Sequence, residues 1–307
     1  MKRNIEFSSK GVTCRGWLIT PDKGNGPFPT LIMAGGWCYT KEIVMPDYAD
    51  FFTREGVACL LFDYRNFGES DGMPRQHLDP WMQIADYRNA ISFAETLQEV
   101  DANRIGIWGI SYSGGHVLIA GALDSRVRCI VSNIPVVDGY LNLRIGHGEE
   151  RYRLLKQLLL ENRRKSFIDP EHKPTIPMSV PDPFETLANW PYPAVYNGFM
   201  PLKATVAPLH EHWTTMESTE LLDAYTVMPY VNRIVDTPTL MLVAENDDLT
   251  LWDLEIKVFN EILTPKKKLV VLPDITHMSL YGNLSKLEIA ANETIPWLLE
   301  HLVKLGG

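Results

Sequence analysis

The sequence predicts an α/β fold, a mostly parallel twisted sheet with helices on both faces and an inserted, mainly helical cap. Three observations carry this prediction. Apolar runs of strand length (30–34, 57–62, 105–108, 239–244 and 268–272) alternate with helix-compatible stretches, the rhythm of a parallel sheet buried on both faces. Gly, Ser and Asp gather just beyond several of these runs, at the strand ends where such sheets hold ligands. Between Asp138 and Val235 the alternation stops, and it resumes near Asp236.

Taken in order, Ile5–Ser8 and Val12–Thr20 flank Ser9-Lys10-Gly11, an antiparallel hairpin by alternation and turn chemistry. A Gly/Pro-rich loop leads to the buried strand Thr30–Ala34, which ends in Gly35-Gly36-Trp37-Cys38. A helix follows from about Val44 to Glu55, and Gly56 stops it. The strand Val57–Phe62 delivers Asp63-Tyr64-Arg65-Asn66-Phe67-Gly68-Glu69-Ser70. Apolar residues from Pro80 to about Val100 recur at helical spacing. Val127–Asn133 reads as the next strand, and Glu149–Lys165 as a charged helix. Residues 168–208 are rich in Pro and aromatics, and Thr214–Tyr230 looks helical. A helix near Leu251–Leu263 and a C-terminal helix Lys286–Leu305 complete the pattern. The expected division is a core of residues 1–137 and 236–307 with a cap of residues 138–235.

The 307 residues, 45% of them hydrophobic, are enough for one large domain with a sizeable core. A net charge of −9 argues against nucleic acid or an anionic membrane surface as the main partner. No apolar run approaches the ~20 residues of a membrane span. Met1-Lys2-Arg3 is basic but lacks the apolar segment of a signal peptide. Cys14, Cys38, Cys59 and Cys129 show no C-x-x-C spacing and read as core residues of a cytoplasmic chain.

The chemistry centres on the stretch from Arg104 to Val117, where a buried strand turns at Gly109 into a helix. A sharp strand-to-helix turn projects its central side chain above the sheet, and the crowding there demands small neighbours. Ser111 holds the nucleophile position of G-x-S-x-G, with Ser113 in place of the last glycine; Ser113 itself would fall inside the first helical turn. A serine hydroxyl needs an imidazole to take its proton and a carboxylate to orient that imidazole. His277 follows the last strand, and Asp247 follows the strand before it, with Asp248 and Glu245 as neighbouring alternatives. The oxyanion needs two N–H donors, expected from Tyr112, just after the nucleophile, and from Trp37 in the loop after the third strand. Asp63 and Arg65 are expected to pin their own loop rather than touch substrate. His77, His116, His147, His172, His210 and His212 show no metal-like spacing, so neither a metal nor an organic cofactor is expected.

With these residues assembled, the chain resembles the α/β-hydrolase superfamily over nearly its whole length. The elbow Ile105–Leu118 and the segment Asp63–Ser70 resemble a narrower group. That group contains X-Pro dipeptidyl-peptidase-like hydrolases and fungal polyketide transferases, which pass an acyl chain from a carrier protein to an alcohol. One departure is Gly35-Gly36, where the superfamily often has His-Gly. The resemblance implies a serine hydrolase that cleaves a small-molecule ester or thioester through an acyl-enzyme on Ser111. Close alternatives are an acyltransferase and a C–C hydrolase of a β-diketone. A non-catalytic ligand receptor on the same fold is the rival of a different class, and it predicts a missing triad member. A homodimer through the Pro/aromatic segment is a further expectation.

Overall fold

The computed structural model describes residues 1–245 and 247–304. Eight strands form one sheet: β1 (Lys2–Ser9), β2 (Val12–Ile19), β3 (Phe28–Ala34), β4 (Ala58–Phe62), β5 (Val100–Ile110), β6 (Ile130–Asn133), β9 (Thr239–Ala244) and β10 (Lys267–Leu272). Their order is β1-β2-β4-β3-β5-β6-β9-β10. β2 runs antiparallel to both β1 and β4, and every later pairing is parallel. The hairpin forms as its alternation requires. Ile5, Phe7 and Ser9 face inward, and Lys10 and Gly11 turn the chain at positive φ.

The strands from β4 to β9 earn their central places by composition. Ala58–Phe62 and Thr239–Ala244 are buried at every position, so both faces must be covered by helices. α1 (Met45–Arg54) and α10 (Leu284–Leu298) lie against each other, and α2 (Pro80–Ala94) adjoins α3 (Tyr112–Leu123). Asp79 caps α2 by accepting from the Trp81 and Met82 N–H groups, and Pro80 fits the first helical position. The helix expected to reach Val100 stops at Ala94, because Val100 is already paired with Phe28 in the sheet. The C-terminal helix begins at Leu284 and widens into a π-turn at Leu299–Val303. Its expected last residue, Leu305, lies outside the described residues.

A large, mainly helical insertion separates β6 from β9. α4 (Gly139–Ile168) breaks at Gly148 (φ 70°), so the charged helix read from Glu149 is its second half. The Pro/aromatic stretch contains β7 (Thr175–Pro177) and α5 (Pro193–Thr205), an element that its proline content had masked. Pro193 suits the start of α5, and Pro201 lies within it. The single helix expected over Thr214–Tyr230 is instead β8 (Trp213–Thr215), α6 (Met216–Asp223) and the one-turn α7 (Met228–Val231). β8 pairs with β7, and the Thr215 hydroxyl caps α6 by accepting from the Ser218 N–H, which divides the run. α8 (Trp252–Glu261) and the short α9 (Ser279–Gly282) complete the chain. Among the described residues no helix is long and apolar enough to cross a membrane.

Candidate active site

Ser111 stands between β5 and α3 with φ 59° and ψ −121°, a backbone region that a residue with a Cβ occupies only under constraint. Such strain costs about 1–3 kcal/mol and must be held by the surroundings. Here the holding is visible. The Ser111 N–H donates to the Asn133 carbonyl at 2.9 Å, and the Val136 N–H donates to the Ser111 carbonyl at 2.9 Å. The Ser113 hydroxyl accepts from the Ile110 N–H at 2.8 Å and donates to the Ala34 carbonyl at 2.7 Å. Ser113 is fully buried and its hydroxyl is spent on tying the turn to β3. The crowding also explains the glycines: a Cβ at Gly109 would lie 2.2 Å from the Ser113 carbonyl oxygen, and one at Gly115 would lie 2.2 Å from that of Val136.

β9 and β10 deliver the other two groups. Asp247 is buried just past β9, and its Oδ1 accepts from the Leu249 and Thr250 N–H groups, both at 2.9 Å. Its Oδ2 accepts from His277 Nδ1 at 2.8 Å. Burial alone would raise this carboxyl, but the facing imidazole and the Thr250 donors outweigh it and hold the pKa below the ordinary carboxylate value. Glu245 and Asp248 are exposed, and the Asp248 carbonyl accepts from the Tyr192 hydroxyl at 2.9 Å. Since Asp247 accepts the Nδ1 proton, the other ring nitrogen, Nε2, is the one that can accept a proton. Ser111 and His277 line one cavity, at the carboxyl ends of the strands.

That cavity is walled by Trp37, Tyr39, Met178, Trp190, Val195, Phe199, Leu249 and Met278. Together with its mouth it encloses about 230 Å³ of space. Four of these walls, Met178, Trp190, Val195 and Phe199, come from the insertion. The Gly35-Gly36-Trp37 loop lies directly against the elbow: a Cβ on Gly36 would stand 3.0 Å from both the Ser111 Cβ and the Ile110 carbonyl oxygen. This close approach explains the second glycine of the pair. The Trp37 and Tyr112 rings meet edge to face at 5.1 Å, and among the described residues the Trp37 N–H makes no main-chain hydrogen bond.

Two site residues escaped the sequence reading. Tyr39 lines the cavity beside Ser111, and Tyr281 stacks on His277 with ring centroids 5.6 Å apart. Burial pushes both phenols above their ordinary value, so both remain protonated. The available signals were position alone: Tyr39 ends the glycine loop, and Tyr281 lies one helical turn beyond His277. Asp63 and Arg65 do pin their loop. Asp63 accepts from the buried Lys41 ammonium at 2.9 Å, and Arg65 Nε donates to Asp86 at 2.8 Å. The other histidines lie apart from any metal-like cluster among the described residues.

Residues 10–278 match the family described as X-Pro dipeptidyl-peptidase (S15 family). The chain is 35% identical over 200 residues to quorum-quenching protein AidA of Acinetobacter baumannii (strain MDR-ZJ06), covering 65% of this chain and 64% of that relative. It is 30% identical over 272 residues to a thiohydrolase of Eupenicillium brefeldianum, covering 86% and 84% of the two chains. It is 26% identical over 308 residues to polyketide transferase grgF of Penicillium sp, covering 98% and 97%. Among solved structures, that of DcsB in complex with its substrate analogue superposes with a TM-score of 0.84 at 23% identity, covering 99% and 100%. The fold is that of the α/β-hydrolases. Triad-like geometry and hydrolase-family kinship together mark the chain as an enzyme of the serine-hydrolase type.

Proposed function

The chain belongs to the X-Pro dipeptidyl-peptidase (S15) family, and on that premise we propose that it cleaves an acyl bond, ester or thioester, through an acyl-enzyme on Ser111. The observation that carries this reading is the strained, buried Ser111 sharing one cavity with a His277 already oriented by Asp247. His277 Nε2 takes the hydroxyl proton as Ser111 Oγ attacks the acyl carbonyl. The Trp37 and Tyr112 N–H groups receive the oxyanion, helped by the positive end of α3. His277 then protonates the leaving alcohol or thiol, and water repeats the cycle to free the acid. No step calls for a metal or an organic cofactor.

The aromatic and methionine walls favour an apolar acyl group of small or medium size, and residues 138–235 serve as the cap that closes over it. The thiohydrolase relative supports a thioester as the leaving side. Transfer to an alcohol is the second reading, favoured by the polyketide transferase relative and by the apolar walls of the cavity, which hold water poorly. A cytoplasmic location is the reading in keeping with four buried free thiols. A panel of acyl esters, thioesters and β-diketones, each with and without an added alcohol, tests the reading on wild type and Ser111→Ala. Loss of about 10³-fold or more in turnover in the variant is expected. A wild type that leaves every substrate untouched and resists a fluorophosphonate probe at Ser111 would favour a ligand receptor instead.

A further inference from the structure

A chain of hydrogen bonds outside the triad links the insertion to the glycine loop. The Cys38 carbonyl oxygen and His210 Nδ1 are 2.9 Å apart, His210 Nε2 and His212 Nδ1 are 3.0 Å apart, and His212 Nε2 and the Ser179 hydroxyl are 2.7 Å apart. Its direction follows from chemistry. A carbonyl oxygen only accepts, so His210 must carry its proton on Nδ1. Burial holds both imidazoles neutral, with pKa values lowered to about 4 for His210 and about 3 for His212. His210 Nε2 is therefore an acceptor, His212 donates from Nδ1, and the Ser179 hydroxyl donates to His212 Nε2.

The inner end of this chain grips a strained residue. Tyr39 N–H reaches back to the Gly36 carbonyl at 3.4 Å, which makes Trp37 and Cys38 the middle of a four-residue turn. Cys38 has φ 63°, at the turn position where a positive φ ordinarily selects glycine. An L-residue stays there only if its surroundings insist. Cys38 is tied twice to one insertion segment, through its carbonyl to His210 and through its thiol to the Trp213 carbonyl at 3.5 Å. The outer end is equally fixed, because the Met178 N–H donates to the His212 carbonyl at 2.9 Å and Met178 walls the cavity. Phe199, another wall, lies against both imidazoles at 5.3 and 6.1 Å.

We propose that His210, His212 and Ser179 are positioning residues that hold the Gly36–Tyr39 turn in the shape that aims the Trp37 N–H at the oxyanion, so that the donor is set only while the insertion is seated. This rests on the Ser111 reading above. The tests use the full chain with a short p-nitrophenyl ester and a boronic acid, which forms a tetrahedral adduct on an active serine. His210→Phe keeps a ring but loses the donor; kcat should fall about 30-fold, with KM within about threefold, and boronate affinity should fall in parallel. His210→Asn, whose amide can donate near the Nδ1 position, should recover most of both. Ser179→Ala removes only the outermost hydroxyl and should lower kcat by about three- to tenfold with the same split, which serves if His210→Phe does not fold. A folded His210→Phe, or a Ser179→Ala in its place, with wild-type kcat and boronate affinity overturns the positioning role while leaving the Ser111 reading intact. A wild type that neither hydrolyses the ester nor labels with fluorophosphonate overturns both.

Discussion

Gly36 approaches Ser111 so closely that a methyl group on it would stand 3.0 Å from the serine Cβ. The contact joins the end of β3 to the end of β5, which are hydrogen-bonded neighbours in the sheet. Gly36→Ala should therefore push the Trp37 turn away from the elbow. The expected outcome is a ten- to hundredfold loss of kcat, roughly that of a misplaced oxyanion donor. Steady-state kinetics beside a thermal melt checks it; a Gly36→Ala enzyme of undiminished kcat would mean the loop takes no part in the chemistry.

Asp247 and Asp248 are adjacent in sequence and differ in fate, one buried against His277 and the other exposed. Asp247→Asn should cost about 10⁴ in kcat, the size known for the equivalent change in a serine protease, because an amide can favour the wrong imidazole tautomer. Asp248→Asn should stay within about threefold, as a surface change does. Equal effects of the two substitutions would remove Asp247 from its role.

Phe199 and Trp190 are buried walls of the cavity from the insertion. Truncating either opens space that a longer acyl chain can fill, and each added methylene buried is worth about 0.8 kcal/mol. Phe199→Ala should thus shift the preferred p-nitrophenyl ester to a chain longer by about two to three carbons. A series from acetate to decanoate reads this directly, and an unchanged optimum would place the acyl group elsewhere.

His116 is a buried residue of the elbow helix α3, with Tyr225 at 3.0 Å and Gln83 at 2.9 Å, and burial lowers its pKa from 6.5 to about 3. Between those values the unfolded chain binds the proton that the folded chain refuses, so stability is complete above pH 6.5 and falls as the pH drops toward 3. His147, His210 and His212 are lowered by the same cause and act in the same direction. The urea midpoint should decline from pH 7 to pH 4, and the slope should be shallower in His116→Gln. Parallel slopes for the two proteins would contradict the buried, neutral imidazole.

Much of this was legible from residue order. The sheet's inner strands announce themselves as short apolar runs, and the positions of Ser111, Asp247 and His277, each just after a core strand, place them at one edge before any distance is known. The insertion was harder to read, because Pro193 and Pro201 made a helical segment look irregular and the bridge from Thr226 to Asp138 divides what looked like one helix. Of Tyr39, Tyr281 and the His210–His212 pair, only the places in the chain were legible. Each owes its importance to contacts across the fold, and the spacing of these residues carries no trace of them.

The narrowness of the Ser111 chamber has a bearing on the order of events. Once an acyl group fills a chamber of about 230 Å³, little room is left for anything else to wait inside with it. The second reactant must come in along the path that the first product has just vacated. Whether the acyl group ends on water or on an alcohol thus becomes a race at the entrance, decided by which visitor is present while the door stands open.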